Sequence, residues 1–360
     1  MDPGSLIPSP DTIPAPWWVF EALGLLTFTI HLLLINVVLG GSLLGVVALV
    51  RGQAPAAPSR QVQARVPIVL ALGINFGVAP LLFLQVNHGH LVYTSSVVMG
   101  TFWILVIPAL VLAYYGTYVV QHAGQRRTLA LLVAPLTTLL LLWIAFTFVN
   151  NMTLMLQPAR WTVHFQARSG TSLNLGDPIL WPRYLHIVNG SAAVAGLFRA
   201  VLAWWRGRRT GMRDRAAVNS GLRVFAIHTL VQMAIGLWLL FALPDDVQGR
   251  FLGADSLRSL TLILGIALGL AATAAALNRK LGAAVALLLA TMLCMVLLRA
   301  LLRSSYLAPL FHPEQLELAP QLSPLLAFLA VLLVGAGVVL WLVRTARRAA
   351  ARGDAAGGAR

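Results

Sequence analysis

Apolar residues run along this chain in long blocks separated by short polar stretches. A block of about twenty apolar residues is what a helix needs to cross a hydrocarbon layer, where every backbone polar group must be satisfied within the segment itself. Nine such blocks are readable, at about 17–50, 66–86, 96–120, 128–150, 181–205, 216–243, 258–277, 281–302 and 323–344. The pattern predicts an all-α, polytopic helical membrane protein. The first block is longer than one bilayer requires and predicts a tilted or protruding helix. On this reading an N-terminal segment, 1–16, precedes a single transmembrane domain, 17–344, and a basic tail, 345–360, follows it.

Composition sharpens the picture. The chain is 59% hydrophobic and only 10% charged, which excludes an ordinary soluble globular protein. Its net charge of +15 would point to nucleic acid in a soluble chain. Here it reports orientation, and no nucleic-acid partner is expected. One set of loops and the tail carries 17 of the 26 basic residues, among them Arg51, Arg60, Arg126, Arg206, Arg209 and Lys280. The opposite side carries 7, namely Arg160, Arg168, Arg183, Arg250, Arg258, Arg299 and Arg303. Arg199 and Arg223 sit near the basic ends of their helices and would snorkel. The asymmetry predicts an outer N-terminus, an inner C-terminus and residence in a bacterial inner membrane. The N-terminal segment is Pro-rich and acidic, without a basic n-region, so the first span is expected to serve as the insertion signal.

The eight histidines are unevenly placed. His88, His90, His164, His186 and His312 fall on or near the outer rim, His122 inside, and His31 and His228 deep within spans one and six. Histidine within a bilayer usually has a role. No span holds an acid at its centre, which argues against a cation or proton pathway. Neutral imidazole bound to haem iron suits such an interior. The single cysteine, Cys294, excludes a disulfide and a CxxCH attachment, so haem would be noncovalent. HEXXH, Walker and GxSxG motifs are absent, and the His-x-His of His88 and His90 is a weak metal signal.

The segment Trp181–Trp205 places Asn189, Gly190, Ala193 and Gly196 on the same helical face as His186. That strip would admit either a close-packed neighbouring helix or a flat macrocycle held by the imidazole. Arg183, Arg258, Arg299 and Arg303, at the outer ends of their helices, are suited to neutralise haem propionates or simply to meet water. The long outer loop, 151–180, is rich in aromatics and amides and could seat a partner.

Four stretches resemble subunit I of the cytochrome bd quinol oxidases, which has nine helices and an outer N-terminus. LTFTIHLLLINVVLGGSLLGVV resembles that family's first helix, and the resemblance assigns His31 to the high-spin haem pair. ALGINFGVAPLLFLQVNHGH resembles its second helix. WIAFTFVNNMTLMLQPA and LGDPILWPRYLHIVNGSAAVAGLF resemble the end of helix four and the start of helix five, which assigns His186 to the low-spin haem. The similarity covers about 20–245 and thins beyond.

The departures are chemical. The family's two proton-delivering glutamates in helix three fall on Val106 and Tyr114, and its low-spin haem methionine on Leu260. The glutamate of its high-spin site falls near Val296, the GRQPW motif is missing, and the quinol-binding loop shrinks to about 244–257. Oxygen reduction needs protons delivered to a dry site, and these acids are gone.

The expectation is a haem b-containing electron-transfer subunit of a quinol/quinone oxidoreductase complex. It would link the quinone pool, with a quinone or quinol site, to an outer-face partner such as a periplasmic cytochrome or iron-sulfur protein, without reducing oxygen. His31, His186 and His228 are the expected iron ligands, with His88 and His90 as further rim candidates and Met292 and Met295 as weaker ones. The alternatives are a working oxidase with another proton route and a haem-free anchor for extrinsic subunits.

Overall fold

Nine helices in the computed structural model are long and apolar enough to cross a membrane, among the described residues 3–54, 57–123, 126–166 and 168–357. They are α1 (Trp17–Val50), α2 (Val66–Val98), α3 (Gly100–His122), α4 (Arg127–Met155), α5 (Leu180–Thr210), α6 (Arg215–Phe241), α7 (Ser256–Leu277), α8 (Leu281–Leu307) and α9 (Leu322–Gly357). The expected all-α membrane architecture is therefore present. The only β pairing among the described residues is one bridge, Ile13 to Leu318.

Most expected boundaries hold to within a few residues. Two differ more. α9 continues to Gly357, through most of the tail expected from 345. A loop is also expected between spans two and three, from 87 to 95. Instead α2 continues to Val98, with a kink at His88 (φ −138°, ψ 25°), and Met99 alone separates it from α3. Local chemistry accounts for several ends. Asp214 caps α6 by accepting from the Ala217 N–H at 2.8 Å, and Asp255 caps α7 by accepting from the Arg258 N–H at 3.0 Å. Gly211 ends α5 in the left-handed region (φ 73°), where a side chain would be strained.

Chain contacts divide the protein into two units. The larger comprises the residues up to Asp11 and Trp17–Leu316; the smaller comprises Thr12–Pro16 and the residues from Glu317 onward. In the smaller unit Ile13 donates to the Glu317 carbonyl and accepts from the Ala319 N–H, each at 2.9 Å. The described side chains of α9, up to Ala349, are exposed.

In the larger unit α1 and α5 are the central helices. α1 packs against α2, α4, α5 and α8, and α5 packs against α6. Lipid tails are as apolar as leucine, so burial in water does not drive this association; close van der Waals contact does. The sequence supplies it with small residues. A Cβ on Gly40 would lie 1.9 Å from the Ser191 carbonyl oxygen, and one on Gly221 would lie 2.7 Å from the Ala200 nitrogen. The same packing covers Asn36–Ser42 of α1 and Ser191–Leu197 of α5 completely. Their other halves, Thr27–Ile35 and His186–Gly190, are only partly covered.

Candidate functional site

The partly covered halves carry the imidazoles. On α1, His31 Nδ1 lies 2.9 Å from the Gly73 carbonyl oxygen of α2. A carbonyl only accepts, so Nδ1 carries the proton and Nε2 keeps its lone pair. A metal-bound histidine is ordinarily oriented in this way. Gly77, one turn further along α2, makes the approach possible, since a Cβ there would lie 2.7 Å from His31 Cε1.

On α5, neither ring nitrogen of His186 has a hydrogen-bond partner among the described residues, and its Nδ1 is buried. The ring faces Gly236 of α6, where a Cβ would lie 3.3 Å from Cε1. Deeper between the same two helices, His228 Nδ1 donates to Asn189 Oδ1 at 2.8 Å. Asn189 Nδ2 in turn reaches the His228 carbonyl at 2.9 Å and Gln232 Oε1 at 2.7 Å. Gln232 Nε2 closes the chain on the His186 carbonyl at 2.7 Å. This leaves His228 Nε2 without a hydrogen-bond partner among the described residues as well.

The strip beside His186 is a helix interface. A Cβ on Gly190 would lie 3.1 Å from Gln232 Nε2, and one on Gly196 would lie 2.7 Å from Val224 Cγ1. Ala193 belongs to the hydrophobic cluster that joins α5 to α6. No macrocycle can lie along that strip, because α6 fills it.

The four rim arginines separate into two kinds. Arg258 is ion-paired with Asp255 and donates to Ser305 Oγ at 2.8 Å and Ser304 Oγ at 3.1 Å. The Arg258 backbone N–H, more than any other group, holds the Asp255 carboxyl below its ordinary range. Arg303 is ion-paired with Glu21 at the start of α1. Arg183 and Arg299, by contrast, make no hydrogen bond or ion pair among the described residues. Arg299 lies 4.5 Å from the ring centre of Phe28 on α1, within electrostatic reach of Arg183, Arg303 and Glu21. The arrangement is a cationic cluster beside the open half of α1, suited to an anion.

His88 and His90 are taken up differently. Both lie edge-on to Phe311, with ring centres 5.9 and 4.5 Å away. His88 Nδ1 and His90 Nε2 are buried without partners. The kink at His88 turns both rings of the His-x-His pair toward the aromatic ring. No group of three or more histidine, cysteine, aspartate or glutamate side chains able to hold a metal occurs among the described residues.

The loop expected at 151–180 is pinned down. Asn174 donates its backbone N–H to Asn150 Oδ1 at 2.9 Å and its side-chain amide to Asp177 Oδ2 at 3.2 Å. Gln157 Nε2 also donates to Asp177 Oδ2, at 3.0 Å, while Asp177 Oδ1 accepts the Ile179 N–H at 3.1 Å. Burial raises the Asp177 carboxyl above its ordinary range, against these hydrogen bonds. Thr101 Oγ1 donates to the Ser169 carbonyl at 2.8 Å, tying the loop to α3 as well. Val163, Phe165 and Leu175 remain exposed on its surface. Reading the sequence by motif missed Gln232, Asn174 and Asp177. The usable signal was a run of amides, at Asn150, Asn151 and Gln157, where an apolar helix ends.

No family model and no curated protein matches the chain.

Proposed function

We propose that this protein is the haem b-containing membrane subunit of a quinol/quinone oxidoreductase complex, carrying electrons between the quinone pool and a partner at the outer face. What supports this most is the pairing, in one open half of the bundle, of imidazoles that keep a free ring nitrogen with two arginines, Arg183 and Arg299, that make no ion pair among the described residues. His31 Nε2 and the ring of His186 would hold iron, and Arg183 and Arg299 would pair with propionates. Bound haem supplies reversible one-electron chemistry. The Gly73 carbonyl fixes the His31 tautomer, Gly77 and Gly236 leave the rings room, and the apolar helix walls keep water out.

The basic residues favour an outer N-terminus and a bacterial inner membrane, which puts the open half on the outer side. A periplasmic cytochrome or iron-sulfur protein would meet the exposed apolar side chains of the pinned loop. Proton delivery for oxygen reduction has no acid to use in α3, where Val106 is buried and Tyr114 faces Tyr118 at 3.2 Å between hydroxyl oxygens. A haem-free anchor is the second reading, and the filled strip beside His186 favours it.

The test is a reduced-minus-oxidised spectrum of the purified protein with acid-acetone extraction. A b-type band with extractable haem is expected. His186→Ala and His31→Ala should each diminish it, and His122→Ala should leave it unchanged. A wild-type protein without the band would establish the haem-free reading.

A further inference from the structure

The opposite end of α5 carries an unrelated feature. Arg199 is only 9% exposed, yet its partners are two neutral hydroxyls, Ser59 Oγ and Ser220 Oγ, each at 2.9 Å. Its Nε is buried without a partner. The ion pairs among the described residues, Arg258 with Asp255 and Arg303 with Glu21, lie at the other end of the bundle. A guanidinium buried this deeply without an ion-pair partner is strongly unfavourable unless an anion joins it.

The room for one is adjacent. A cavity of about 90 Å³ is lined by Arg199, Arg206, Gly207, Met212, Asp214 and Pro58. That is well above the ~10–15 Å³ that admits one water. Asp214, the carboxylate in the lining, is engaged with the Ala217 N–H as the α6 cap. Two guanidiniums against one carboxylate leave a net single positive charge, which a singly charged phosphodiester matches better than a doubly charged phosphate. Depth points the same way. Trp204 and Trp205, next to Arg206, are about half exposed and lie under Arg208 and Arg209 at 5.2 and 5.0 Å. Tryptophan and arginine together mark the level of lipid headgroups, and basic pockets between helices at that level take acidic lipids.

We propose that this cavity is a binding site for the phosphodiester of an anionic phospholipid headgroup, with Arg199 as its buried anchor and Arg206 as its outer gatepost. The proposal stands apart from the haem reading and needs no haem to test. Full-length protein in neutral detergent would be titrated with phosphatidylglycerol, phosphatidylcholine or inorganic phosphate while the unfolding midpoint is followed. Phosphatidylglycerol should raise the midpoint of the wild type, and the other two should not. Arg206→Gln leaves the helix contacts intact and should weaken the apparent affinity for phosphatidylglycerol by about tenfold, the consequence of losing one charge-assisted contact. Arg199→Gln should abolish the response. If Arg199 served only to clamp Ser59 to Ser220, Arg199→Gln would lower the baseline midpoint yet keep the phosphatidylglycerol increment, and the proposal would fall. Equal effects of the two lipids, an equal effect of inorganic phosphate, or an undiminished response in Arg206→Gln would each overturn it. Should Arg199→Gln fail to fold, Arg206→Gln decides alone.

Discussion

α1 and α5 each have two halves that obey different rules. In one half, Asn36–Ser42 against Ser191–Leu197, the two backbones touch through Gly40 and the helices are fully covered. In the other, His31 and His186 project from helices that their neighbours only partly cover, and His186 Nδ1 is buried without a partner. The welded half can be rigid because its contacts are backbone to backbone and carry no charge. The open half keeps an imidazole nitrogen unsatisfied at His186, and the packed half one amide oxygen at Asn36, each unfavourable in an apolar interior. Close backbone packing and the partly covered imidazoles thus occupy different halves of the same pair of helices.

The sharpest way to break this comparison is to add side chains to its glycines. Gly40→Val places a Cβ 1.9 Å from the Ser191 carbonyl, which cannot move without its helix. The strain should exceed the usual ~1–3 kcal/mol of overpacking and prevent accumulation of folded protein. Gly24→Ala, on the same helix just before the open half, meets only Phe83 Cβ at 3.6 Å and should fold normally. Yield and monodispersity in detergent read both. Equal behaviour of the two variants would remove the distinction between the halves.

Next in size is Asp177→Asn. Its Oδ2 accepts from two amides, Gln157 and Asn174, and an amide nitrogen in that place would face donors. The loss should be ~1–3 kcal/mol, the range for leaving buried groups unsatisfied, seen as faster proteolysis within 157–174. The pH dependence follows in sign. A carboxyl whose pKa is raised on folding holds its proton more tightly in the folded state. Its contribution to stability is therefore full below the unfolded value, about 3.9, and falls as pH rises through the raised one. Asp177→Asn should flatten that slope in thermal unfolding measured across acidic pH.

Gly77→Ala should be milder for the fold and specific in effect. The new Cβ would stand 2.7 Å from His31 Cε1, pushing the ring off the Gly73 carbonyl. Flexible side chains can give way, so a cost of about 1 kcal/mol is expected, with loss of the spectral component that depends on His31. An unchanged spectrum would separate that histidine from any haem. The smallest effect belongs to Arg258→Gln. This pair is partly exposed, and such pairs are worth ~0–1 kcal/mol. Because Arg258 is already engaged with Asp255, the proposed haem site predicts that its removal leaves any haem content as it was, unlike removal of Arg299.

The membrane character and the nine helices were legible in the sequence, because crossing a bilayer imposes a length and an apolarity that a linear reading detects directly. The histidines and rim arginines could be named for a similar reason, since charged and imidazole side chains are rare in such segments and stand out. Their partners could not be. Glu21 pairs with Arg303, 282 positions away, and nothing in either neighbourhood marks the other. The same holds for Gly73 accepting from His31, and for Phe311 beside His88 and His90.

The strip at Gly190, Ala193 and Gly196 shows the limit most plainly. Its spacing required something close to α5 on that face, and spacing is all that a single helix can express. Whether the occupant was a macrocycle or a second backbone depended on which residues α6 brings opposite, and those are Gln232, Val224 and Phe225. Composition and periodicity determined that the chain spans a membrane and where polar chemistry enters it. Only the tertiary structure decided which imidazoles keep a free nitrogen and which arginines form ion pairs, because both depend on contacts between helices distant in sequence.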